Sequence, residues 1–503
     1  MKMIFHHTVR NILLHSALLR NQYVIRVLGA ALLVAAFLGT LDNTDLVHSH
    51  EARAAQNAQR ILDTGEWGLP RLFDDRLELQ KPPAYYWFVA CVSYWLNSGQ
   101  VTAWTTRLPA ALMGIVCVVG VYAFLRWTGH RDAALVAAIV LATASHFTAL
   151  SRIARVDIPL TAVVAFSILS FYLGCKSHCH GKWNHPLIWH SLAGVNAGIA
   201  ALLKGPVGIA LIACPAGAWW LAEDRRINWL SWACLLVTAV LVGLPWFIWA
   251  NCATYGEFFR VFILHHTIAR FSGTSPQLAT HPWWFYLPRF TLDFLPWSPL
   301  FFLGIYCAAK NNLWKADQVM RFSLICFLSM LCLLSISHFK RADYLLPAYP
   351  FAAIFIGCFI QNLLKKKSTD IQRRVMNLFH GTWIMTIICW IVMIAIVEPR
   401  WYACIESTSF AARVRQQAPS PQPVILFRME DHLLSFHLGR PLETLVEWND
   451  LKQRLTRSGT HYVVMPKEYL YTAMQIISEY KWSIISISNK INKKIYIFLL
   501  VEK

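Results

Sequence analysis

The chain has 503 residues, of which 56% are hydrophobic and only 15% charged, with 22 Trp and a formal net charge of +19. This balance excludes a water-soluble globular protein and suits one that crosses a membrane many times. The basic excess is spread over short loops, not gathered in one soluble segment, which excludes nucleic acid as the partner and fits the surface of anionic membrane lipids.

In chain order, Lys2, Arg10 and Arg20 precede, and Arg26 sits at the start of, a first apolar run near 25–41, which lacks a small-residue cleavage site and reads as a retained anchor. A long polar loop over 42–106 follows, and inside it Glu51 to Leu62 has helical spacing. The aromatic stretch Pro82 to Leu96 is about 15 residues long, short of the ~20 that cross a bilayer, so it is expected to lie flat at the interface. If it crossed, the basic loops Arg126/Arg131, Lys176/Lys182, Arg225/Arg226, Lys310/Lys315/Arg321 and Lys365–Lys367 with Arg373/Arg374 would face outward, against the positive-inside tendency.

Further spans are expected near 107–125, 132–150, 158–174, 191–204, 206–222, 230–250, 295–309, 319–336, 344–364 and 380–397, about eleven with the first. After about residue 399 the apolar runs shorten to strand length at 424–427, 461–465 and 495–501, with Pro419, Pro421 and Pro423 as a boundary. The expected organisation is a polytopic α-helical domain over 1–398, with loop 42–106 on the outer face, and a small extracytoplasmic α/β domain over 399–503. The 13 Cys have no framework spacing and read as packing residues, and the irregular group Cys175, His178, Cys179, His180 does not read as a metal site.

With that threading, the polar residues of interest share the outer face. Glu51 begins the first-loop helix, where a carboxylate also favours the helix N-terminus. Arg152, Arg155 and Asp157 precede the fourth span, where a solvated ion pair is the simple alternative. Lys204, which could snorkel to lipid headgroups, ends one span, while His265, His266 and Arg270, then Lys340, Arg341, Asp343 and Tyr344, mark two more edges. Cations on an outer face need an anion, and a lipid phosphate supplies one: Arg as a bidentate fork, Lys as a point charge. Carboxylates beside such cations fit transfer of a sugar from a phosphate-linked carrier, with a base for the acceptor's proton and positive charge for the leaving phosphate. A transporter or flippase of a lipid-linked or anionic solute is the rival, and would place charges within the spans.

Seven motifs in order carry a resemblance: HEARAAQNAQRILDTGEWGLPRL, QKPPAYYW, RLPAAL, RVDIPLT, LKGPVG, HHTIARF and DYLLPAYP. Together they are similar to the lipid-linked-sugar glycosyltransferases of the GT-C superfamily, in the branch of the aminoarabinose transferases and the related protein O-mannosyltransferases. The resemblance implies a GT-C fold of about 11 to 13 transmembrane helices with interfacial helices in the first outer loop. It implies a cytoplasmic (inner) membrane enzyme whose active site faces outward, with a polyprenyl-phosphate sugar donor and a lipid or protein acceptor.

It also implies Glu51, His50 or Asp157 as the catalytic group, and Lys81, Arg53, Lys204, Arg270, Lys340 and Tyr344 around the donor phosphate. Two departures stand out: His50-Glu51 replaces the family's Asp-Glu, and Gln80 replaces the Glu before Lys-Pro-Pro. The second bears on a possible divalent metal at His265 and His266, because that Glu can share in holding it.

Overall fold

A computed structural model describes residues 31–502 apart from 32–33, 181–184, 224–226, 275–279, 366–367, 404–407, 430–431, 458 and 492–493. Residues 25–30 and 32–33 of the expected span 25–41, the loop residues Lys182, Arg225, Arg226, Lys366 and Lys367, and the side chains of His178, Cys179 and His180 lie outside the described residues.

Among the described residues, 7 helices are long and apolar enough to cross a membrane: Ala103–Trp127, Asp157–Ser177, Pro186–Lys204, Trp229–Ala253, Gln318–Ile336, Ala342–Lys365 and Thr369–Arg400. Two bent pairs, Arg131–Thr143 with Ser145–Ser151 at 65° and Trp283–Asp293 with Ser298–Lys310 at 114°, raise this to 9, and Pro206–Ala222 is a shorter apolar helix. Every span expected beyond residue 100 falls on one of these elements, and the chain is a multi-pass membrane protein.

The bend in the second span was not legible in its uniform apolarity. Ala144 is extended (φ −65°, ψ 123°), and the groups freed by the break are satisfied by the other bent pair: Ser145 N–H donates to Leu295 O at 3.0 Å and Ser145 Oγ to Asp293 O at 2.9 Å. Irregular backbone at membrane depth persists only where protein buries and pairs it in this way. The break also lays 145–151 across the end of the bundle, which carries Arg152 and Arg155 over it.

The middle of the bundle is Asp157–Ser177 and Ala342–Lys365, 94% and 89% buried along their apolar windows, whereas Trp229–Ala253 is only 11% buried and presents Leu236, Leu241 and Ile248 outward. That peripheral helix is held by close approach to Pro186–Lys204 through Gly194, Gly198 and Gly243. A Cβ on Gly194 would sit 2.0 Å from Thr238 Oγ1 and 2.2 Å from Leu235 O, so the two backbones meet where only glycine fits.

The stretch read as interfacial is the helix Ala84–Leu96, whose 13 residues extend about 20 Å at ~1.5 Å each, well short of a ~30 Å hydrocarbon core. It buries Tyr85 and Tyr86 against the bundle and leaves Tyr94 59% and Trp95 79% exposed. Beyond it the C-terminal sheet is built from β1 (Val424–Phe427), β2 (Glu443–Leu445), β3 (His461–Pro466), β4 (Lys481–Ile491) and β5 (Lys494–Glu502), in the order β2-β1-β3-β5-β4. β1 runs parallel to β2 and β3, while β5 is antiparallel to β3 and β4. The expected strands are β1, β3 and β5. β4 was missed because KWSIISISNKI mixes Lys and Ser with its apolar residues, and β2 because it is three residues long.

Gly194→Ala is expected to lower the thermal unfolding temperature in detergent, because Leu235 O is backbone and cannot step aside. Gly217→Ala, whose added Cβ meets nothing within 4 Å, is the control expected to leave it unchanged.

Candidate active site

The first-loop helix Ser49–Thr64 starts beside the end of the bundle, and its Glu51 does not face solvent. Glu51 is 0% exposed: Oε1 accepts from Arg107 Nε at 2.9 Å and from Ala154 N–H at 3.0 Å, and Oε2 accepts from Arg107 Nη2 at 3.2 Å. Burial alone would push this carboxyl up, but Arg107 and the Ala154 amide outweigh it and hold the carboxylate ionised. Arg107 also donates to the carbonyls of Leu41, Thr44 and Asp45 at 2.8, 2.7 and 2.9 Å. The pair therefore clamps the loop onto the helix Ala103–Trp127 and the 152–156 segment.

Asp157 opens the next membrane helix. Its Oδ1 accepts from Lys204 Nζ at 2.7 Å and its Oδ2 lies 3.1 Å from Arg155 Nη2. Arg155 continues to Asp343 Oδ2 at 2.5 Å, which Arg341 also meets at 3.2 Å, and His146 bridges Asp343 at 3.2 Å and Asp293 at 3.3 Å. The ammonium of Lys204 stands 4.4 Å from the centre of the Tyr344 ring. The helix carrying Lys204 stops there because Gly205 takes φ +63°, and a Cβ on it would lie 2.4 Å from Phe262 Cζ.

Above this ion chain opens a cavity of about 370 Å³. Its polar lining residues are His50, Arg53, Gln80, Lys81, Arg155, Asp157, Lys204, His266, Arg270, Arg341 and Tyr344, and its apolar lining includes Leu203, Val207, Leu211, Phe262, Leu333, Leu334 and Phe339. His50, next to the buried Glu51, turns into this space, and its Nδ1 is buried without a hydrogen-bond partner among the described residues. Burial, followed by the nearby Lys81, Arg155, Arg341 and Arg53, pulls the imidazole from 6.5 down to about 3, so it is neutral at neutral pH. Burial and then Arg53 likewise pull Lys81 down to about 8.

Of the residues singled out from sequence, His50, Asp157, Lys81, Arg53, Lys204, Arg270, Tyr344 and His266 meet at the cavity, whereas Glu51, Lys340 and His265 are not among its lining residues. Lys340 is turned aside: its Nζ donates to Ser337 O and, at 3.1 Å, to His281 O, bracing its own loop. His265 packs edge-on against His266 with ring centres 5.2 Å apart.

The metal expectation does not fit these donors. Gln80 Oε1 accepts from Arg53 Nη1 at 3.0 Å, and His266 is held neutral, near 4, first by burial and then by the cations Arg270, Arg53 and Lys81. A dication would enter that surplus of positive charge with no free carboxylate to meet it. The metal-like group found among the described residues, His130, Asp317 and Cys358, lies elsewhere, where the helix starts at 130 and 317 meet the middle of the helix Tyr349–Lys365. There Asp317 already accepts from Met320 N–H at 3.0 Å and Asn362 Nδ2 at 2.7 Å.

Residues 31–258 match the model of the dolichyl-phosphate-mannose-protein mannosyltransferase family. The chain can be laid on the crystal structure of ArnT from Cupriavidus metallidurans bound to undecaprenyl phosphate with a TM-score of 0.73, covering 94% of this chain and 97% of that one at 20% identity. The chain shares the fold of that ArnT. It is 29% identical over 329 residues to an uncharacterised protein of Aquifex aeolicus, and 28% identical over 342 residues to the undecaprenyl phosphate-alpha-4-amino-4-deoxy-L-arabinose arabinosyl transferase of Pseudomonas paraeruginosa. These matches cover 64% and 67% of this chain and 61% and 60% of the relatives, so the alignment spans about three fifths of the relatives' length.

Three residues in and around this site are not singled out by the sequence. Arg107 was quoted only as part of RLPAAL, where a lone Arg at the start of an apolar helix was the available signal. Glu78 is 5% exposed and lies 3.4 Å from Arg53, but its motif LELQ gave it no distinction. His146 sat within a predicted span, and only the bend at Ala144 brings it to Asp343.

Arg107→Ala is expected to cost about 3–5 kcal/mol of stability, since it strands the Glu51 carboxylate in a buried setting. Thermal unfolding in detergent checks this, with Glu51→Gln in the Arg107→Ala background expected to recover part of the loss.

Proposed function

We propose that this protein is an inner-membrane glycosyltransferase that moves a sugar from a polyprenyl-phosphate donor to an acceptor hydroxyl at the extracytoplasmic face. The observation that carries the reading is a single cavity lined by both cations and apolar side chains, as a phosphate with a hydrocarbon tail requires. The ArnT neighbour solved with undecaprenyl phosphate and the arabinosyl transferase relatives support the same class of donor.

In this reading Lys81, Arg53, Arg270 and Lys204 neutralise the donor phosphate, and the apolar lining takes the start of the prenyl chain. The acceptor hydroxyl oxygen attacks the sugar's anomeric carbon, the bond from that carbon to phosphate oxygen breaks, and the polyprenyl phosphate leaves with the electron pair. Positive charge fixed beforehand stabilises that developing anion without reorganisation. His50, which lines the cavity, takes the hydroxyl's proton on its imidazole. Its base strength rises when the donor's negative charge enters and offsets the cations that depress it.

Asp157 aims Lys204 and Arg155 and is itself fully engaged by them, while Glu51 acts through Arg107 to place His50, its neighbour in the chain. Lys340 and Tyr344 belong to the surrounding loop, with Tyr344 facing Lys204. The acceptor, whether lipid or protein, enters from the open side of the same cavity.

His50→Gln is expected to reduce transfer by about 10²–10⁴-fold, the range for loss of a general base, with the protein still in the membrane. Mass spectrometry of envelope lipids and proteins reads the lost saccharide mass. Transfer undiminished in that variant would remove His50 from the role. Lys81→Ala is expected to raise the half-saturating donor concentration about tenfold, equivalent to one charge-assisted hydrogen bond.

A pH effect on stability follows from the same histidine. The unfolded chain takes up a proton at His50 below 6.5, whereas the native site does not until about 3, so stability falls as pH drops through that window. His50→Gln is therefore expected to unfold at a higher temperature relative to the parent at about pH 5 than at about pH 7.

A further inference from the structure

The short helix His432–Leu438 of the C-terminal domain lies on the first-loop helix and reaches the cavity's rim. His432 Nε2 is 3.1 Å from Nη2 of Arg53, the cavity-lining guanidinium, across 379 residues of sequence. One turn along, the buried Gln56 donates through Nε2 to the His432 carbonyl at 2.5 Å. At the far end of the same short helix His437 Nε2 meets Leu46 O at 3.2 Å, and its Nδ1 lies 3.6 Å from Asp45 Oδ2.

A guanidinium has donors and no acceptor, so the contact with Arg53 requires the lone pair on His432 Nε2 and its proton on Nδ1. His432, 8% exposed, is thus a neutral acceptor aimed at Arg53. The other edges of the guanidinium face Gln80 Oε1 at 3.0 Å from Nη1 and Glu78 Oε2 at 3.4 Å from Nε. Three acceptors from two separate segments, 78–80 and the His432 helix, thereby fix the plane of one flexible side chain.

We propose that His432 is a positioning residue: through it the C-terminal domain sets the orientation in which Arg53 meets the donor phosphate. The inference rests on reading the cavity as a polyprenyl-phosphate site. An arginine left to rotate would lose that freedom each time a phosphate bound, and contacts made in advance remove the loss from the binding step. It also gives the C-terminal domain a task at the site that neither its fold nor its sequence suggests.

The test is binding of a short-chain polyprenyl phosphate to the purified full-length protein in detergent. His432→Leu and His432→Phe both remove the acceptor, and the second keeps a ring's volume, so a packing defect from the smaller side chain is separated out. Each is expected to weaken binding roughly tenfold, the loss of one well-placed charge-assisted contact, while kcat falls less than KM rises. His432→Gln, which restores an acceptor oxygen, is expected to recover most of the affinity. In an Arg53→Ala background the His432 changes are expected to add nothing, because the two residues act through one contact.

Wild-type binding by His432→Phe, alongside weak binding by Arg53→Ala, would overturn the positioning role and leave the phosphate site standing. An equal loss in His432→Gln would also overturn it, since the acceptor would then not matter. Wild-type binding by both Arg53→Ala and Lys81→Ala would instead bring down the donor-site reading, and this proposal with it.

Discussion

Buried charge must be paired, and that constraint organises the end of this bundle. The neighbours Arg155 and Asp157, with Lys204, Asp343 and His146, come from four separate segments, and each lies in surroundings where an isolated ion would cost several kcal/mol. Their mutual pairing forces the helix beginning at Asp157, the helix ending at Lys204 and the turn over 342–348 to meet at one place. The break at Ala144 and the left-handed Gly205 are the local backbone features that allow the meeting.

The cavity lies on this chain, and there the charges do not balance. Asp157 offsets Lys204 and Arg155, and Glu78 faces Arg53, but Lys81 and Arg270 add positive charge without a further acid in the lining. Cations kept in a partly desolvated space, beside apolar lining residues such as Leu203, Val207, Leu211 and Leu333, fit the proposed phosphate donor with its hydrocarbon chain.

Two adjacent residues show how one helix start divides its work. A helix turns about 100° per residue, so Glu51 and His50 cannot share a face. Glu51 points inward, to Arg107 and the Ala154 amide, while His50 points into the cavity. The acid is the more obvious base on paper, yet it is fastened by two partners and sealed from any substrate. The neutral histidine beside it lines the cavity, and its Nδ1 has no hydrogen-bond partner among the described residues. The C-terminal domain reaches the same helix from the other side, so one short element of the first loop joins the bundle, the cavity and the sheet.

The sequence by itself determined the membrane class, the positions of the spans after residue 100, the short interfacial helix and most of the residues that meet at the cavity. Apolar length, loop charge and motif order are local properties, and they survive in a bare string of residues. Only tertiary structure decided which ionisable groups face the cavity. The burial of Glu51, the turning aside of Lys340, the bend that delivers His146 and the contact of His432 with Arg53 depend on elements up to 379 residues apart. Burial and pairing, which decide whether a charge is a clamp or a reagent, are properties of that assembled surrounding and have no counterpart in sequence spacing.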